Sequence, residues 1–407
     1  MKGPVVSVPQ PHADWGLPTD IQRRYLEQYI SSRQPMSIYG DSGVYGDLES
    51  CLGGAYGSKY CILTNTGTSA LSSAYFGLGI GRGDEVIVPT YTFLATVTPL
   101  LRLGAKIIFC DADPITGNIS PIDVQRKLTS RTKAVAITHM WGVPCNMEAI
   151  ASLIKGSGAR LIEDCSHAHF TTFKGRLLGT FGDVACFSIG AKKTMTSGEG
   201  GFLLTSDPEI FVRATLLGHF AVRSEQAIDR LRACGENGLA DKYMRYITGY
   251  GENYRMHPYS AVMALALVDS GEIHRIIERR RGSLQYFERG LRQVPGMDPP
   301  VVDEDYYSGA MFGFKPRIRC VAPDALGLFI GELKDRNVYV KRPDSLPLHN
   351  ELVFGNPTGE VFAGAEEYLE GRVSMPTFSK GLSQDKSLID EYLDVLHYTV
   401  KHHAGRR

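Results

Sequence analysis

Short apolar runs alternate along this chain with stretches of helical length, and the alternation predicts its architecture. The runs at 59–64, 85–89 (EVIVP), 106–111 (KIIFCD), 133–138 (KAVAIT) and 160–164 (RLIED) are short and β-rich. Such runs, bounded by polar turns, read as strands. Between them the spacing predicts helices over 47–54, from 65–70 to about 78, and over 93–103, 121–128 and 147–155. Strand-then-helix repetition implies an α/β fold with a largely parallel sheet. In such sheets ligand groups gather beyond the carboxyl ends of the strands.

Outside that region the pattern loosens. Residues 1–45 are rich in Pro, Gly and Ser, with one helical segment at 20–32, and read as an arm wrapping another surface. A polar, charged segment at 223–245 reads as an insertion. One long helix is expected over 259–291, its run Glu278-Arg279-Arg280-Arg281 forming a solvated face. The remainder predicts a smaller α+β domain. The expected division is 1–255 for the arm and large domain, and 256–407 for the bridging helix and small C-terminal domain.

Composition narrows the class. In 407 residues, 43% are hydrophobic and 22% charged, as in an ordinary globular enzyme. Lys+Arg and Asp+Glu both number 44, so no bulk charge favours nucleic acid or an anionic membrane, and little repulsion opposes self-association. Cys51, Cys61, Cys110, Cys145, Cys165, Cys186, Cys234 and Cys320 are scattered without a C-x-x-C pair, which argues against a disulfide framework or a zinc site. No run approaches 18 apolar residues and the N-terminus lacks a secretory pattern, so a cytoplasmic protein is expected.

Three stretches carry candidate chemistry. CFSIGAKKTMTSGEGG (186–201) leaves an apolar run and sets two lysines among hydroxyls and glycines. Desolvation lowers a lysine pKa, and a neutral amine suits imine chemistry, although a solvated surface loop has the same composition. Thr66-Gly67-Thr68-Ser69 opens a helix directly after a strand, which suits a phosphate or a simple cap. A GKS or GKT phosphate loop is absent, as is a G-x-G-x-x-G turn. Asp164 ends a strand, where it can partner a protonated ring nitrogen or cap the next helix, with His167 three residues on. Taken jointly, the three match the needs of pyridoxal 5'-phosphate: phosphate grip, pyridinium partner and Schiff-base lysine.

The chain also resembles the DegT/DnrJ/StrS sugar aminotransferases, a family of fold-type-I pyridoxal-phosphate enzymes. The likeness rests on TNTGTSAL (64–71), VIVPTYTFLAT (86–96), DADPITGNI (111–119), HMWGVPCNM (139–147), LIEDCSHAH (161–169), CFSIGAKKTMTSGEGGFLLT (186–205) and GENYRM (251–256). It covers about 45–260, with weaker support in GRVSMPTF (371–378). By that resemblance Lys193 is the Schiff-base lysine, five residues after Ser188 and five before Gly198, and Lys192 is a neighbour whose charge helps keep it neutral. Asp164 partners the ring nitrogen, and His167 neighbours the ring hydroxyl. Gly67, Thr68 and Ser188 hold the phosphate, and Phe93 stacks on the ring. Asn253 reaches the cofactor of a neighbouring subunit, implying a homodimer with shared sites. The implied reaction moves an amino group from glutamate or glutamine to a ketone on a nucleotide-linked sugar or a cyclitol. Aromatising or dehydrating relatives of the same fold are the nearest alternative, and a non-catalytic protein that keeps the fold is another. Arg255, Lys341-Arg342 and His349 are further candidates for the acceptor pocket. The chain departs from the family at Thr194, where asparagine is frequent, at Cys165-Ser166, and in a longer segment at 215–248 that falls where it could cover the substrate pocket.

Overall fold

The apolar runs become seven strands of one sheet because both of its faces are covered by helices. The computed structural model describes residues 3–8, 16–190, 192–300, 307–309, 311–343, 345–354 and 359–404. In chain order the strands are β1 (Tyr60–Thr64), β2 (Glu85–Pro89), β3 (Lys106–Cys110), β4 (Thr132–Thr138) and β5 (Arg160–Asp164). A two-residue hairpin, β6 (Thr172–Phe173) and β7 (Arg176–Leu177), precedes β8 (Val184–Ser188) and β9 (Gly201–Thr205). The sheet order is β1-β9-β8-β5-β4-β2-β3. β9 alone runs antiparallel, against β1 and β8; the pairings among β2, β3, β4, β5 and β8 are parallel. Every residue of β1, β2 and β9 is buried, which is why these strands read as continuous apolar runs rather than alternating ones.

The helices divide between the two faces. α1 (Asp20–Ser31), α2 (Val44–Tyr56), α3 (Gly67–Gly77), α4 (Thr98–Leu103), α5 (Pro121–Lys127) and α6 (Met147–Ile154) accompany the first five strands. α7 (Pro208–Gly218), α8 (Ala221–Ala233) and α9 (Asn237–Tyr243) follow β9. One core joins Leu48 and Leu52 of α2 to Val135, Ile137 and Phe202 on one face. The other joins Ala70 and Tyr75 of α3, Phe211 and Leu216 of α7 and Ile228 of α8 to Val86, Val88 and Cys186. The 215–248 segment contributes Leu216, Ile228 and Leu231 to the second core. Arg223 of α8 is buried and donates to both oxygens of Glu49 of α2 at 2.8 and 2.7 Å.

Three expectations need correction. The helix expected at 93–103 is broken: Leu94–Thr96 is a single 3-10 turn and α4 begins at Thr98. Pro99 lacks an N–H and suits only a helix's first turn. The helix expected at 259–291 is two, α10 (Pro258–Asp269) and α11 (Glu272–Leu291). Gly271 between them takes a left-handed φ of 69°, which terminates α10. The charged run at 278–281 is not wholly solvated, because Arg280 is 1% exposed. It falls on the stripe Ile273, Ile277, Arg280, Leu284, Phe287 and Leu291, which α11 buries.

The arm does wrap a surface, and that surface belongs to the same chain. α1 lies along α10, and the amide of Val6 donates to the Arg336 carbonyl at 3.0 Å. Residues 1, 2 and 9–15 of the arm lie outside the described residues. Val6 joins a third core with Phe287 of α11, Phe329 of α12 (Leu326–Lys334) and Ile389 and Tyr392 of α14 (Leu382–Ala404), while α13 (Ala363–Leu369) packs beside Tyr91 and Trp141. Among the described residues no helix is long and apolar enough to cross a membrane.

Candidate active site

The carboxyl ends of β5 and β8, together with the turn after β1, converge on one cleft of about 450 Å³. Gly67, Thr68, Phe93, Asp164, His167, Ser188 and Lys193 all line it.

Its anion-seeking end is the start of α3. Thr66 caps the helix, its side chain accepting from the Ser69 amide at 3.0 Å. The first-turn amides of Gly67 and Thr68 have no acceptor within the helix and lie at its positive dipole end. A Cβ on Gly67 would stand 2.6 Å from the Ser188 Cβ, so only glycine lets the end of β8 approach this turn. The Ser188 hydroxyl thereby joins the same group of donors.

The acidic wall is Asp164, buried at the end of β5. One carboxylate oxygen accepts from the Thr96 hydroxyl at 2.7 Å, and the other from the Ser166 amide at 3.0 Å. Behind Thr96, the hydroxyls of Thr92 and Thr138 lie 2.7 Å apart and complete a buried network. The break in the helix expected at 93–103 is what turns Thr96 toward Asp164. Adjacent Glu163 points to the opposite face, as strand geometry requires. Its oxygens accept from the amides of Gly179, Phe181 and Gly182 at 2.8, 2.7 and 2.6 Å. Glu163, His139 and Cys165 present ligand atoms within 4.8 Å of one another. This donor set is spent on the chain itself, for His139 also accepts from the Cys145 amide at 3.1 Å.

Two lysines line the cleft and differ in kind. Lys192 is exposed, whereas Lys193 is half-buried with its amine 4.4 Å from the centre of the Phe312 ring. Burial pushes the Lys193 amine down to about 8, and the Asp164 carboxylate opposes that shift. Burial, rather than the neighbouring Lys192 cation, is thus the leading cause. His167 stacks on Phe312 at 4.2 Å and on Trp141 at 5.5 Å between centroids. Burial first, and then Lys193, hold its pKa well below the ordinary value, so it is neutral. Its Nδ1 accepts from the Trp141 amide at 3.3 Å.

Several sequence candidates do not meet this cleft. Asn253 is exposed on a turn that the Asn65 amide pins through the Tyr254 carbonyl at 2.7 Å. The Arg255 guanidinium lies 4.4 Å from the centre of the Tyr39 ring, and His349 is buried against Thr90. Lys341 exchanges backbone hydrogen bonds with Ser374. No described residue of 215–248 lines the cleft. The residues missed are Thr138, Phe312 and Glu199, which line it, and Thr96, which supports Asp164. Thr96 had a visible signal, the hydroxyls of TYTFLAT packed just after a strand; Phe312 had none.

The arrangement offers helix amides and a serine for a phosphate, a buried carboxylate for a protonated ring nitrogen, an amine that burial makes easier to deprotonate, and Phe93 at the rim. Pyridoxal phosphate fits that set. GDP-perosamine synthase of Escherichia coli O157:H7 is 36% identical over 236 residues, covering 58% of this chain and 60% of the relative. This chain therefore matches less than two thirds of that relative's length. The dTDP-4-dehydro-2,3,6-trideoxy-D-glucose 4-aminotransferase of Saccharopolyspora spinosa is 28% identical over 347 residues, covering 85% and 86%. The solved structure of 3-amino-5-hydroxybenzoic acid synthase superposes with a TM-score of 0.79 at 22% identity, covering 98% of this chain and 100% of that one, and shows the shared fold. The model of the DegT/DnrJ/EryC1/StrS aminotransferase family matches residues 42–389.

Proposed function

Because the chain belongs to the DegT/DnrJ/EryC1/StrS aminotransferase family, a pyridoxal-phosphate-dependent one, we propose that it transfers an amino group from glutamate or glutamine to a ketone on a nucleotide-linked sugar or a cyclitol. The observation that carries the reading is Lys193: an amine with a pKa near 8, in one cleft with Asp164, Ser188 and the start of α3. The two relatives named for GDP-linked and dTDP-linked sugars support a nucleotide-linked acceptor.

In this reading Gly67, Thr68 and Ser188 grip the phosphate through helix amides and a hydroxyl. Bound pyridoxal phosphate supplies an electron sink for the pair left when a Cα–H bond breaks. Asp164, held by Thr96 and Ser166, keeps the ring nitrogen protonated. Lys193 would hold the cofactor, and its Nζ, once freed by the incoming donor amine, would carry the proton away from the donor's α-carbon. His167, being neutral, can share a hydrogen bond with the ring hydroxyl without adding charge, and Phe93 covers the ring. The test is a donor and acceptor screen that follows cofactor absorbance and product mass. Glutamate or glutamine should convert the cofactor to its amino form, and a keto sugar or cyclitol should restore it while gaining an amine. Loss of water from a cyclic substrate with no amine retained would overturn transfer in favour of lyase chemistry.

We further infer a homodimer with shared sites. Asn253 is exposed outside its own cleft, yet its turn is pinned beside Thr66–Thr68, which supports a role toward a second copy. Light scattering should give twice the 44.7 kDa chain mass, and Asn253→Ala should weaken cofactor affinity several-fold. A monomer, or unchanged affinity, counts against it.

A further inference from the structure

Lys193 sits on a loop that forms neither helix nor strand, so its position needs another cause. The base of the loop is closed by its own backbone: Ile189 donates to Gly200 and Ser197 to Ile189, both at 2.9 Å. Its middle is held by two side chains from distant segments. Gln22 of α1, 1% exposed, donates to the Thr196 carbonyl at 2.7 Å and to the Met263 carbonyl of α10 at 3.2 Å. Arg280 of α11 donates to the Thr194 hydroxyl at 3.0 Å and to the Met311 carbonyl at 2.6 Å. Met311 precedes Phe312, whose ring faces the Lys193 amine. One guanidinium therefore ties together the loop that carries the amine and the ring packed against it.

We propose that Gln22 and Arg280 are positioning residues for Lys193, clamping its loop from two sides and so setting where the amine stands in the cleft. The proposal rests on the reading of Lys193 as the reacting amine. Its physical basis is geometric: a misplacement of about 1 Å at a reacting group costs on the order of 10²-fold in rate. An ordered burial of the amine is also what disfavours its protonation, so a loosened loop admits water and lets the amine return toward an ordinary lysine. The charged and titratable groups around it are Asp164 from β5, His167 and His169 from the turn that follows, Lys192 and Glu199 from its own loop, and Arg280 from α11, with Lys315 beyond His167. The clamp variants leave the side chains of all seven in place.

The test compares Gln22→Ala, Thr194→Val and Thr194→Ser in the full-length protein. The pH dependence of Lys193 modification by an amine-reactive reagent is read by peptide mass spectrometry with the cofactor in its amino form, which leaves the lysine amine free, alongside melting temperature, kcat and KM. Gln22→Ala and Thr194→Val should raise the labelling midpoint by about one pH unit, toward the ~10.4 of a free lysine. They should lower kcat by roughly 10- to 100-fold with little change in the donor KM. Thr194→Ser keeps the hydroxyl and should bring the midpoint back. Unchanged midpoints in both loss variants, a serine variant that shifts as far as valine, or a rise in KM alone would overturn the clamp. If Lys193→Ala is dead while the clamp variants match wild type, only the clamp falls. If Lys193→Ala keeps turning over, the functional reading falls with it.

Discussion

Replacing Lys193 with alanine is expected to lower kcat by more than ~10⁴-fold, since it removes both the covalent anchor and the proton carrier. Phosphate grip and ring contacts come from other residues, so the variant should still bind cofactor, without the visible absorbance that a lysine linkage produces. Its melting temperature should stay close to wild type, because the loop's backbone closure and both clamp contacts are untouched. Retained transamination would sink the assignment.

The pH behaviour follows from the same group, and its sign can be worked through. Burial lowers the Lys193 pKa to about 8 in the folded chain, against ~10.4 for a free lysine. The neutral amine is the active form, so the rate of the lysine-dependent step should rise with pH through about 8. Between about 8 and ~10.4 the unfolded chain holds the proton that the folded chain has released, so this group's contribution to stability improves as pH rises through that window. Below it both states are protonated and the full cost of burying the cation is present.

The second large effect is expected from Asp164→Asn, a loss of roughly 10²- to 10³-fold in kcat, comparable to deleting one preorganised electrostatic partner at a reacting centre. Asparagine isolates the charge. Its carbonyl can still accept from the Ser166 amide, and its amide can donate to Thr96, whose hydroxyl turns to accept. What is lost is the negative charge that holds a ring nitrogen protonated. Asp164→Ala goes further, stripping the Thr96 hydroxyl and the Ser166 amide of their acceptor. A steady-state kcat for Asp164→Asn within fivefold of wild type would show that the carboxylate is not the ring's partner.

Much of this arrangement was legible along the chain because it depends on short-range geometry. A strand that ends in an acid places that acid at a sheet's carboxyl edge, and a Thr-Gly-Thr-Ser turn after a strand presents amides whatever the rest of the molecule does. Gly67 is readable for the same reason, although its purpose is not. The close approach of Ser188, 121 positions later, shows why a side chain there would collide. Arg280 was misread because its neighbours are charged, yet its spacing from Ile273, Ile277, Leu284 and Phe287 already put it on the buried stripe of α11. The break at Gly271 was equally available from the glycine itself.

Other features had no local signal. Phe312 reaches the Lys193 amine from a segment 119 residues further on, and Gln22 reaches the same loop from 174 residues before Thr196. The sequence by itself determined the parallel sheet, the acid at its edge, the helix start and the presence of an amine, because each follows from periodicity and neighbours within a few residues. Only the tertiary structure decided which lysine is desolvated, what holds its loop, and that Asn253 does not line its own cleft. Burial and long-range hydrogen bonds are properties of packed surfaces, and no stretch of chain carries them until its distant partners arrive.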